Sequence, residues 1–88
     1  MEKYDKELIN LLCRIDNPST MSDVLSNMLT HDEREEIAVR LQIFKQLMAG
    51  HTQRAIAKNL GVGIATITRG NKELKYGKPG VKRIIKND

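Results

Sequence analysis

The segment from Thr30 to Gly50 sets the tightest limit on what this chain can fold into. Thr30-His31-Asp32-Glu33 has the spacing of a capping box, in which the threonine hydroxyl takes a first-turn amide and the glutamate reaches back to the threonine N–H. Asp32, Glu33, Glu35 and Glu36 follow in the first turns, where the helix dipole favours negative charge. The spacing predicts a helix over 31–49, closed by Gly50. Its apolar positions, Ile37, Ala38, Val39, Leu41, Ile43, Phe44, Leu47 and Met48, occupy well over half the circumference. A helix apolar nearly all round has to be covered on several sides. The chain has 88 residues, a single cysteine and therefore no internal disulfide, and no Cys/His cluster spaced for a structural metal. A lone chain of this size buries only about two-thirds of the surface it exposes when unfolded. The missing cover is expected from a second copy of the same chain.

The remaining pattern is helical too, with few aromatics and no sustained alternation of the kind strands need. A helix is expected over 2–16, with Leu8, Ile9, Leu11, Leu12 and Ile15 on one face and Cys13 as a small buried hydrophobe. Pro18 breaks it by disfavouring the helical conformation at Asn17. A short helix over about 20–28 follows, striped by Met21, Val24, Leu25 and Met28. His31 and His51, at a helix start and in a turn, read as surface residues. Pro79 is expected to start a last helix over 79–86, whose Val81, Ile84 and Ile85 pack on the dimer. No run approaches the roughly 20 apolar residues of a membrane span, and Met1 to Glu7 lack the basic-then-apolar order of a signal peptide. The cytosol is the expected compartment, without a membrane partner.

Charge divides the chain. Residues 1–50 carry six Lys/Arg against nine Asp/Glu, a net of −3, whereas residues 51–88 carry nine against two, a net of +7. Such polarity points the C-terminal half at a polyanion, nucleic acid before membrane, with a solvated basic tail as the plainer explanation.

Within the basic half, residues 53–69 carry a specific spacing. Thr52 can cap a helix over 53–60, whose inner face is Ile56, Ala57 and Leu60. Gly61 permits the positive φ of a sharp turn, Val62 plugs the corner, and a second helix runs over 64–75 with Ile67 inward. A small residue, a glycine four later and a branched aliphatic six after that is the spacing of a DNA-binding helix-turn-helix. The alternative is an ordinary helical hairpin with a glycine turn. The open face of the second helix carries Gly63, Ile64, Ala65, Thr66, Thr68 and Arg69. Ala65 and the threonine methyls suit thymine methyls, and the hydroxyls suit bases or water. Gln53, Arg54 and Lys72 complete the candidate DNA contacts, with Lys58 and Lys75 as further cations for phosphates. No residues stand in the relation of nucleophile, base and orienter, so an enzyme is not expected.

Leu29-Thr30-His31-Asp32-Glu33-Arg34-Glu35, Arg40 ten residues after Thr30, and Gly61-Val62-Gly63-Ile64-Ala65-Thr66-Ile67-Thr68-Arg69-Gly70 together resemble the bacterial tryptophan repressor family, over roughly residues 21–77. That family is itself a standard illustration of helix-turn-helix docking and of water-mediated operator contacts. The resemblance implies an all-α, six-helix chain forming an intertwined homodimer, with two reading heads projecting from a shared core onto a double-stranded DNA operator. It implies one domain over 1–88: dimerisation helices over 1–50, the helix-turn-helix over 53–75 and a C-terminal helix over 79–86. It also implies L-tryptophan as corepressor, and no metal.

In the family, the equivalents of Thr30, Arg40, Arg69 and Gly70 line the corepressor site. Phe44 stands at a branched-aliphatic position of that site, and Glu73 where the family has a small hydroxyl near the ligand ammonium. Asn27 replaces an apolar residue at the rim, and the turn Gly50-His51-Thr52 is one residue shorter. The residues themselves point the same way. Gly70 costs a helix about 1 kcal/mol against alanine and leaves a space that something must fill. Two guanidinium planes, Arg40 and Arg69, can sandwich an indole and bind a carboxylate. The plainer alternative has Arg40 in an ion pair, Arg69 on a phosphate and Gly70 merely tolerated. At the level of function, the alternatives to a corepressed repressor are a ligand-independent DNA-binding regulator with Phe44 filling the pocket, and the DNA-targeting module of a transposase or recombinase.

Overall fold

The computed structural model describes residues 1–86. Among them are six α-helices and no strand: α1 (Glu2–Cys13), α2 (Pro18–Met28), α3 (His31–Met48), α4 (Gln53–Leu60), α5 (Ile64–Tyr76) and α6 (Gly80–Lys86). Two compact units divide the chain inside α3, one of Met1–Glu35 and one beginning at Glu36.

In the first unit α1 stops at Cys13, earlier than the apolar stripe to Ile15 predicts. The Arg14 and Ile15 amides bond the Leu11 and Leu12 carbonyls at 3.1 and 3.2 Å, the tight closure of a last turn. Cys13 is exposed, not buried as expected. The α1 face lies open within the chain, with Tyr4, Leu8 and Ile9 exposed, so apolar spacing alone did not bury it. α2 begins at Pro18, two residues before the expected start. Asn17 is extended and its side chain accepts the Thr20 amide at 2.8 Å, so the proline that ends one helix pattern opens the next from its first helical position.

The capping box of α3 is complete. Thr30 Oγ1 accepts the Glu33 amide at 3.1 Å, and Glu33 Oε1 accepts the Thr30 amide at 2.9 Å. Hydrogen bonding by the Thr30 amide first, and by its hydroxyl second, holds the exposed Glu33 carboxyl below its ordinary value. Arg34 then ties α3 back to α2. Its guanidinium donates to the Ser22 carbonyl at 3.0 Å, to Ser22 Oγ at 2.9 Å and to Ser26 Oγ at 2.6 Å.

In the second unit the core is small and made of isoleucines. Ile43 of α3, Ile56 of α4 and Ile67 of α5 are 2%, 0% and 0% exposed, with Val39, Leu47, Ala57, Leu60 and Val62 packed around them and Phe44 buried beside them. α3 ends as Gly50 predicts. Gly50 takes φ +91°, its amide bonds the Leu47 carbonyl, and the His51 amide reaches the Gln46 carbonyl, satisfying carbonyls the helix end would orphan. Among the apolar positions that pattern predicted to be covered, Ile37 and Leu41 remain 49% and 44% exposed within the chain. α6 starts at Gly80, one residue later than expected, with the Pro79 carbonyl accepting the Arg83 amide. Its Val81 and Ile84 are exposed.

Candidate nucleic-acid interface

The α4–α5 pair is built as its spacing requires. Thr52 Oγ1 accepts the Ala55 amide at 3.1 Å and starts α4. Gly61 ends it in the left-handed region at φ +67°, ψ +33°, a conformation that a side chain would strain. The Gly61 and Val62 amides both bond the Ala57 carbonyl, and Val62 tucks against the core. Gly63 caps α5, its carbonyl accepting the Thr66 amide at 3.1 Å. Ile56 and Ile67 meet with no solvent access, and this contact fixes which face of α5 looks outward.

On that outer face Gly63, Ile64, Ala65, Thr68, Arg69 and Lys72 are exposed, Ile64 at 51%. Thr66 is half-buried. Arg54 is exposed on α4, whereas Gln53 is half-buried and meets Thr68, whose hydroxyl lies 2.8 Å from Gln53 Oε1. Both residues were named in sequence as candidate DNA contacts, not as partners of each other. A glutamine and a threonine fifteen residues apart share no local signature, so the bond had no sequence signal.

The residues expected around a small ligand divide differently. Thr30 lies in the first unit, its hydroxyl and amide both engaged in the capping box. Arg40, Phe44, Arg69, Gly70 and Glu73 lie in the second. Arg40 and Arg69 are exposed. The bare face of Gly70 does not open on a void. A Cβ placed there would stand 2.9 Å from Ile43 Cγ2, 3.8 Å from Phe44 Cε1 and 3.9 Å from Leu47 Cδ1. The space that the glycine vacates is thus occupied by the chain's own α3 side chains. The Glu73 carboxylate is folded toward the C-terminal end of α5, where a Cβ at Gly77 would collide with it. Among the described residues no three of His, Cys, Asp and Glu are grouped to hold a metal, and no helix is long and apolar enough to cross a membrane.

Relatives bear on this geometry. A Trp operon repressor homolog of Vibrio atlanticus is 46% identical over 63 residues, 70% of this chain and 64% of that protein. One from Aliivibrio fischeri is 40% identical over 70 residues, 78% of this chain and 65% of its own length. One from Chlamydia caviae is 40% identical over 82 residues, 92% of this chain and 81% of its own. The chain therefore spans just under two thirds of the length of the first two relatives. The family described as Trp repressor protein, one of transcription regulators rather than enzymes, matches residues 4–88, and the chain belongs to it.

Proposed function

We propose that this chain is a sequence-specific repressor that binds a double-stranded DNA operator as a homodimer, with L-tryptophan as corepressor. The observation that carries the reading is the outward face of α5, presented by the fully buried Ile56–Ile67 contact. On it Ala65 and Thr68 face the bases, while Lys72 beside them and Arg54 of α4 hold phosphates. The net charge of +7 over residues 51–88 supports the same face.

The exposed apolar positions of α1 and α3, Leu8, Ile9, Ile37 and Leu41, support the second subunit. A core of four buried side chains among the described residues is small for a solitary chain, and a partner that covers these positions completes it as one domain. Such a dimer spaces two α5 helices for successive major grooves, about 34 Å apart in helix-turn-helix dimers, the tryptophan repressor among them. It acts in the cytoplasm, on the nucleoid.

L-tryptophan supplies no covalent chemistry. Its carboxylate and indole suit Arg40 and Arg69, both exposed, and binding favours the DNA-competent spacing of the heads. A 10- to 1,000-fold gain in operator affinity corresponds to roughly 1.4–4 kcal/mol of coupling. One observation favours a second reading, in which no ligand is needed: Ile43 and Phe44 already occupy the bare face of Gly70.

A shift assay on the promoter region upstream of the chain's own gene, with and without L-tryptophan, tests both. Operator binding that strengthens with L-tryptophan supports corepression. Tight binding that ignores it, with calorimetric binding appearing only in Phe44→Val, supports the second reading. Absence of salt-dependent DNA binding rejects both, because neutralised phosphates must release counterions.

A further inference from the structure

The Thr68 hydroxyl has two protein neighbours and only one proton. Oγ1 lies 2.8 Å from Gln53 Oε1 and 3.0 Å from the carbonyl oxygen of Ile64, one turn earlier in α5. Both neighbours accept, and a threonine hydroxyl has one hydrogen to give and two lone pairs. Turning the glutamine carboxamide end for end offers Nε2 to Oγ1 instead and leaves the hydrogen to Ile64. In either arrangement the hydrogen points into the protein, and what Thr68 shows to solvent is a lone pair. Thr68 itself is exposed on the outer face of α5.

Gln53 is what keeps it so. Threonine in a helix divides between two rotamers. The Ile64 carbonyl alone is a weak tether, because the hydroxyl can turn away from it toward an outside acceptor. Gln53 adds a second anchor from a different helix. It is the first residue of α4, started by Thr52, and the buried Ile56–Ile67 contact fixes α4 against α5.

We infer, resting on the DNA-binding reading above, that Gln53 is a positioning residue that makes the Thr68 hydroxyl an acceptor-only contact, so that the chain selects a base offering an exocyclic amino group. In the major groove that group is adenine N6 or cytosine N4 on the strand Thr68 faces, and the excluded edges are the carbonyls of thymine and guanine.

The test uses the full chain and a duplex library randomised over the binding site, followed by competition between the selected site and its single-base variants. Wild type is expected to favour adenine or cytosine at one position of each half-site by about 3- to 10-fold, the scale of one neutral hydrogen bond. Gln53→Ala and Thr68→Val each lose that preference at that position, and the double variant loses no more than either. Gln53→Glu keeps the preference, since a carboxylate still takes the hydrogen, while weakening all sites alike through its charge. Thermal unfolding and the salt slope, followed in each variant, report a merely structural loss, which lowers affinity for every sequence equally. A Gln53→Ala protein that binds with the wild-type base preference overturns the inference and leaves the DNA-binding reading standing. A wild type without salt-dependent DNA affinity overturns both.

Discussion

Replacing Gly70 by alanine sets two effects of opposite sign against each other. Alanine is the better helix former by about 1 kcal/mol, so at an open helical site the change would stabilise. At Gly70 the new Cβ stands 2.9 Å from Ile43 Cγ2, closer than unbonded carbons rest. Ile43 cannot swing aside: it is 2% exposed, β-branched, and packed in one buried cluster with Ile56 and Ile67. Overpacking of this kind costs about 1–3 kcal/mol. The clash outweighs the propensity gain, and the net expected effect is a destabilisation of about 1 kcal/mol. For a chain of this size that lowers Tm by about 4–8 °C. Thermal unfolding by circular dichroism, at one fixed chain concentration, reads the shift. Gly80→Ala is the control: Gly80 is the first residue of α6 and nothing lies within 4 Å of a Cβ there, so its Tm should hold or rise. Ile43→Leu removes the offending branch methyl, so Gly70→Ala should cost less in that background than alone, by at least about 0.5 kcal/mol in a double-mutant cycle. A Gly70→Ala protein that melts several degrees higher than wild type would refute the packing argument, and with it the idea that α3 already fills this space.

Thr30→Ala removes the hydroxyl that caps α3 but keeps the backbone amide that chiefly lowers the Glu33 pKa; losing such a cap typically costs about 1 kcal/mol. Because the folded pKa of Glu33 is depressed, its stabilisation is full above the unfolded carboxyl value and fades as pH falls through the lowered one. Acid titration of Tm should therefore show a shallower loss in Glu33→Gln than in wild type. Arg34→Lys keeps the charge but not the planar fork that reaches Ser22 and Ser26, so hydrogen exchange in α2 should accelerate nearly as much as in Arg34→Ala. Lys72→Ala should weaken DNA binding about equally across sequences and reduce the salt slope by about 1, measured by fluorescence anisotropy titrations.

What the sequence made legible was mostly local. The Thr30–Glu33 box, the Gly50 and Gly61 stops and the Thr52 cap each need only neighbours within one or two turns, and all four stand where the spacing put them. Ile56 and Ile67 were readable as inward because a glycine turn between two short helices leaves one way to pack them. Pro18 misled through its double meaning: it ends a helical pattern behind it and opens one ahead, and the Asn17 cap decides which. Cys13 was misassigned because apolar spacing says which face should be covered, not whether the same chain covers it. Arg34 with Ser22 and Ser26, Gln53 with Thr68, and Ile43 with Gly70 join residues eight to twenty-seven positions apart. Those contacts arise only once helices have packed, and no periodicity carries them.

The three-isoleucine knot has a thermodynamic corollary. An element secured by so little hydrophobic area opens at low free-energy cost, so the α4–α5 amides should exchange with solvent through local fluctuations rather than global unfolding. Whatever docks on α5 must then quench that breathing as it binds. The entropy surrendered registers as an unfavourable term in calorimetry, and the tightening of the knot adds to the heat-capacity decrease of complex formation.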